Sequence, residues 1–153
     1  MIRQFVAAVA ACAATTAFAQ QAAPQAQRLV EETLAKHPEA AHIVMHVTPP
    51  DRPDSENLVI ASNIGRLGKK ADEDDLRIMH TGHTETVVAK SGDRFNVSQV
   101  FLDLPGHVIG VVAIGFPYKV GDDKALLMAD AERIRDELRQ QIPSARALFQ
   151  ATP

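Results

Sequence analysis

The sequence predicts an α+β domain, one antiparallel sheet with helices against it. Three observations carry this. The stretch His107 to Tyr118 is apolar on both alternating faces, with Val108, Val112, Ile114 and Phe116 pointing one way and Ile109, Val111 and Ala113 the other. Such a strand is central in its sheet and covered on both sides. Leu104-Pro105-Gly106 just before it is a turn signal, so the preceding strand is its hairpin partner. Apolar stripes at helical spacing stand near both ends of the chain, around Leu29 and Ile134.

The elements follow in order. Arg3, the apolar run Phe5 to Ala14 and the small residues ending in Ala17-Phe18-Ala19 have the layout of a secretory signal. The run is shorter than the roughly 20 apolar residues that span a bilayer as a helix. Residues 1–19 are therefore expected as a signal peptide, 20–27 as a Gln- and Ala-rich tether, and 28–150 as the folded domain. The rival reading is a lipoprotein box, Val9-Ala10-Ala11-Cys12, with Cys12 acylated; so short an apolar core ahead of Cys12 disfavours it. Cleavage after Ala19 removes the chain's one cysteine, and the net charge moves from −3 to −4 because Arg3 leaves and no acid does. An acidic balance argues against nucleic acid as a main partner, and none is expected.

Gln25 to Lys36 carries Ala26, Leu29, Val30, Thr33 and Leu34 on one helical face, and His37-Pro38 ends it. His42 to Thr48 alternates as a strand, a loop with three prolines follows, and Asn57 to Ser62 is a second strand that can pair with the first. Asn63 to Lys70 is broken by two glycines. Asp72 to His80 predicts a short helix with acids at its positive end and Leu76 and Met79 inward. His83 to Lys90 and Arg94 to Asp103 are strands around a Ser-Gly-Asp turn. In the second the apolar parity shifts from Phe95 and Val97 to Val100 and Leu102, which predicts a bulge near Ser98-Gln99. Gly121 to Gln141 is a helix with the stripe Leu127, Ala131, Ile134 and Leu138, stopped at Pro143.

This order resembles the extracytoplasmic PAS-like sensor domains, the PDC or single Cache family. The residues that carry the resemblance are Leu58-Val59-Ile60-Ala61-Ser62-Asn63-Ile64-Gly65-Arg66-Leu67-Gly68 and Phe101-Leu102-Asp103-Leu104-Pro105-Gly106-His107-Val108-Ile109-Gly110. The resemblance covers about residues 25–141. It implies a five-stranded antiparallel sheet with a long N-terminal helix, a short helix in the connection between strands 2 and 3, and a C-terminal helix. It also implies a small ligand, such as an amino acid, carboxylate or amine, between the sheet and that connection. Most relatives sit in membrane receptors with an output domain, which is not expected in this chain.

Arg66, Lys69 and Lys70 stand in the glycine-broken stretch, where an arginine can hold a carboxylate through two parallel bonds. His80, Thr81 and His83 close the next helix and supply polar groups, two of them imidazoles, the side chain suited to a pH-dependent charge. Arg66, His80, Thr81 and His83 are thus the expected ligand-binding residues, with walls from Ile64, Leu76, Met79 and Val112. The bland readings are a solvated turn for Arg66 and a helix end for the histidines. Asp103 opens a Leu-Pro-Gly turn and is expected as a turn former. No zinc, haem or nucleophile-elbow motif occurs, so no cofactor, no metal ligands and no catalytic role are expected. The expected function is a periplasmic small-molecule-binding sensor module, its ligand anionic or zwitterionic, with a membrane receptor or transporter as partner. The alternatives are metal or haem binding through His80 and His83, or a ligand-free interaction domain.

Overall fold

The computed structural model describes residues 22–55 and 57–151. The expected signal peptide, Cys12 and the start of the tether lie outside the described residues. Eight main elements follow in order: α1 (Pro24–Lys36), β1 (His42–Val47), β2 (Leu58–Ser62), α2 (Glu73–Thr81), β3 (Glu85–Val88), β4 (Arg94–Leu102), β5 (Val108–Pro117) and α3 (Lys124–Arg139), with 3₁₀ turns at Pro53–Ser55 and Ala145–Phe149. Helix α1 takes in residues 24–27, the end of the stretch expected as tether, because Pro24 suits the first helical turn and Ala26 is buried. No helix among the described residues is long and apolar enough to cross a membrane.

The five strands form one antiparallel sheet in the order β2-β1-β5-β4-β3. Strand β5 is central, as its two apolar faces require. One face carries Ile43, Met45 and Val47 from β1, Phe95, Val97 and Phe101 from β4, and Val112, Ile114 and Phe116 from β5. Helices α1 and α3 cover it with Leu29, Val30, Ala131, Ile134 and Leu138, and Leu148 from the last 3₁₀ turn completes the core. A charged clamp joins the two helices. His37, 4% exposed, lies 2.9 Å from Glu137 and 3.1 Å from Glu39, and Arg133 donates to Glu39 at 3.0 Å.

Strand β4 departs from the expected parity shift. Phe95, Val97, Gln99 and Phe101 are all buried, and pairing with β5 runs regularly from Arg94 to Phe101, the irregularity falling between Phe101 and Leu102. The bulge expected near Ser98-Gln99 is absent because Gln99 occupies an inward position. Its amide is satisfied there, donating to the Ala131 carbonyl at 2.8 Å and accepting from Arg135 at 3.3 Å. The inward face of α2 also differs. Asp75 and Ile78 are buried, whereas Leu76 and Met79 are only half-buried.

Candidate functional site

The opposite face of the sheet is more polar, and side chains cross it in rows set by the register. His42 pairs with Gly115, which pairs with Asn96 and, beyond it, Val87. The next row is Val44, Ala113, Ser98 and Glu85, and the third is His46, Val111 and Val100. Gly115 leaves a gap in the first row, and the His42 ring fills it: a β-carbon built on Gly115 would overlap that ring. Gly110 is constrained differently, by the backbone carbonyl of His46 in the adjacent strand.

The segment from Asn63 through α2 roofs this face. Asn63 fixes its start, accepting from the Ile43 amide at 3.0 Å and donating to the Ala41 carbonyl at 3.1 Å. The chain then turns through Gly65 and Arg66, at φ 78° and 69°. A left-handed arginine costs about 1–3 kcal/mol of strain, a cost that in folded proteins concentrates at ligand clamps and active sites. The returning chain runs along the edge of β2, with Gly68 donating to Val59, Val59 to Lys69 and Ala71 to Asn57. Asp72 then caps α2 in a reciprocal box with Asp75.

Between roof and sheet lies a cavity of about 390 Å³. Its apolar lining comes from Val44, Val59, Ile64, Ile78, Val87 and Ala113, its charged lining from Arg66, Lys69, Asp72, Asp74, Asp75, Glu85 and Arg94, and two imidazoles, His42 and His46, stand among them. The volume lies within the range of small-molecule sites, about 300–1,000 Å³.

Two histidines differ in their surroundings. His42 is 7% exposed, and its pKa lies below the usual imidazole value, chiefly through burial and then through the charges of Arg94 and Arg66, with Asn96 working the other way. It is neutral at pH 7. His46 Nδ1 lies 2.9 Å from Asp75 Oδ2 but out of line for a well-directed hydrogen bond. Burial works to raise the Asp75 pKa. The His46 contact, the Asp72 amide and Lys69 outweigh it and hold the carboxyl below its usual range. Asn96 Oδ1 is buried without a well-directed partner.

Of the residues expected from sequence to bind, the structure brings Arg66 to the cavity and not His80, Thr81 or His83. These three are exposed at the far end of α2, where the Thr81 hydroxyl donates to the Arg77 carbonyl and accepts from the His83 amide, and Gly82 closes the helix in a left-handed conformation. They serve the helix terminus. Among the expected walls Ile64 lines the cavity, Ile78 takes the place given to Leu76 and Met79, and Val112 lies on the opposite face of the sheet. Residues not anticipated are His42, His46, Asp75, Arg94 and Asn96. The alternation of His42, Val44 and His46 already marked them as one face; what it could not give was the sign of that face. Asp103 is a turn former, accepting from the amides of Gly106 at 3.0 Å and His107 at 2.7 Å. Among the described residues no group of three or more His, Cys, Asp or Glu is placed to hold a metal ion.

No protein-family model matches the chain, and no curated protein matches it in sequence. Solved structures do match. The chain is similar to the Agobacterium tumefaciens repressor BlcR, with a TM-score of 0.51 and 11% identity over 77% of this chain and 67% of that one. It is also similar to a chain of the E. coli DhaR(N)–DhaL complex, with a TM-score of 0.50 and 15% identity over 81% of this chain. It spans 48% of that chain. At such identities the likeness shows the fold alone, and the fold is α+β, an open five-stranded antiparallel sheet with three helices in a PAS-like arrangement.

Proposed function

We propose that this protein is a small-molecule-binding sensor module whose ligand, anionic or zwitterionic, sits between the polar face of the sheet and the 63–81 segment. The observation that carries this is the 390 Å³ cavity with Arg66, in a strained backbone conformation, on its wall. An arginine held at positive φ beside an open cavity favours a binding role. The fold shared with a protein named as a repressor favours sensing. The role proposed is binding, and the acids of the wall are engaged with other groups of the protein. The signal-like start of the chain supports a periplasmic location, and a membrane receptor or transporter is then the partner that reads the bound state.

A thermal-shift screen of the purified protein against carboxylates, amino acids and amines tests this. A compound present at 100 times its dissociation constant stabilises the native state by about 2.7 kcal/mol, which moves the melting temperature by several degrees. Binding is expected to weaken in Arg66→Ala while the fold survives. A screen in which none of the three classes shifts the transition overturns the proposal.

A further inference from the structure

We infer that the cavity selects a carboxylate whose only charge is negative, and discriminates against amino acids and amines of the same shape. This rests on the binding role proposed above and narrows it to one chemical class. The argument is a charge count along the cavity wall.

Each acid there is already engaged. Asp74 and Glu85 both receive Arg77, at 2.6 and 2.7 Å. Asp75 faces His46 at 2.9 Å and accepts from the Asp72 amide at 3.3 Å. Asp72 accepts from the Asp75 amide at 3.2 Å as the cap of α2. A ligand ammonium group approaching these acids would share each of them with a partner it already has, which weakens what the acid offers a second cation.

The cations are in the opposite condition. Among the described residues Arg66 and Lys69 make no ion pair, and Arg94 has only Asp93, at 3.7 Å. Arg66 reaches the cavity from the roof and Arg94 from β4, and both are close enough to His42 to act on its proton. Guanidinium groups from two different elements thus line the cavity and act on His42, while Val44, Ala113 and Ile78 supply aliphatic wall. A carboxylate is the complement of these groups, since its two oxygens match the fork of donors on arginine. The acids of the wall, already shared with groups of the protein, offer a positive charge less than the guanidinium groups offer a carboxylate.

The test compares matched triplets, each one body with three head groups. They are acetate, glycine and methylamine; 4-methylpentanoate, leucine and 3-methylbutylamine; and 3-phenylpropanoate, phenylalanine and 2-phenylethylamine. Affinity is measured by titration calorimetry at pH 7 on the purified protein. In the best-fitting triplet the carboxylate is expected to bind at least tenfold more tightly than the amino acid, with the amine undetectable. Arg66→Ala and Arg94→Ala are each expected to weaken the carboxylate fivefold or more with the unliganded melting temperature little changed. An amino acid or amine that binds as tightly as its carboxylate overturns this inference and leaves the binding role standing. Carboxylate binding that is indifferent to both arginine substitutions also overturns it. No binding in any triplet overturns the inference, and binding by none of a wider screen overturns the binding role with it.

Discussion

The imidazole of His42 lies across Gly115, in the space a β-carbon would occupy on the central strand. This places a neutral, buried ring next to Asn96 on the arginine-lined wall of the cavity. Gly115→Ala forces the ring off that position. We expect a loss of about 1–3 kcal/mol in denaturant unfolding, as for overpacking of a close-packed site, together with weakened ligand binding. Unchanged stability and affinity would show that the ring has an equivalent resting place.

Arg66→Gly separates a binding arginine from an ordinary surface residue. Glycine adopts positive φ without the strain an arginine carries there. The variant is expected to unfold at equal or higher denaturant, by up to about 1 kcal/mol, yet to bind carboxylate at least fivefold more weakly. Full binding in this variant would leave Arg66 as a turn residue only.

The pH dependence follows from His42. Its native pKa is lowered while the unfolded histidine titrates near about 6.5. Between those two values the unfolded state binds more protons, so stability falls as pH drops from about 6.5 and the loss is complete below the native pKa. An anion bound beside Arg66 and Arg94 offsets their push on the ring, raises the His42 pKa and couples binding to proton uptake. Affinity for a carboxylate is therefore expected to rise on going from pH 7.5 to 6, and the rise to disappear in His42→Asn. Calorimetry at the two pH values reads this directly, and an affinity that falls or stays flat in the native protein counts against it.

Val112→Asp tests the core. Val112 is fully buried on the central strand between Met45 and Gln99. An unpaired carboxylate there costs several kcal/mol, about (to order of magnitude) the 5–15 kcal/mol that holds a whole domain together. No cooperative unfolding transition is expected in circular dichroism. A soluble variant with a normal transition would mean that the sheet is arranged differently.

Most of the fold was legible because its signals are local. The double-faced apolar strand, the Leu-Pro-Gly turn and the α3 stripe each fix an element without reference to the rest. Gln99 was misread because its burial depends on Ala131 and Arg135, which are distant in sequence. The site was legible only at Arg66, where glycines on either side of Arg66-Leu67 announce an irregular backbone. His80 and His83 are close in sequence, but helix α2 turns its Asp75 and Ile78 side to the sheet and leaves its end in solvent. His42, Asn96 and Arg94 meet only through cross-strand register, and no spacing within the chain reveals that.

The most direct test of the account is chemical-shift mapping by NMR of the carboxylate that binds best. The account predicts that the amides of Ile64 to Lys69, Asn96 and Gly115 move on titration, with α1 and the Ala145–Phe149 turn unaffected. Shifts confined to His80 and His83, or to the helical face of the sheet, would contradict a ligand between the polar face and its roof.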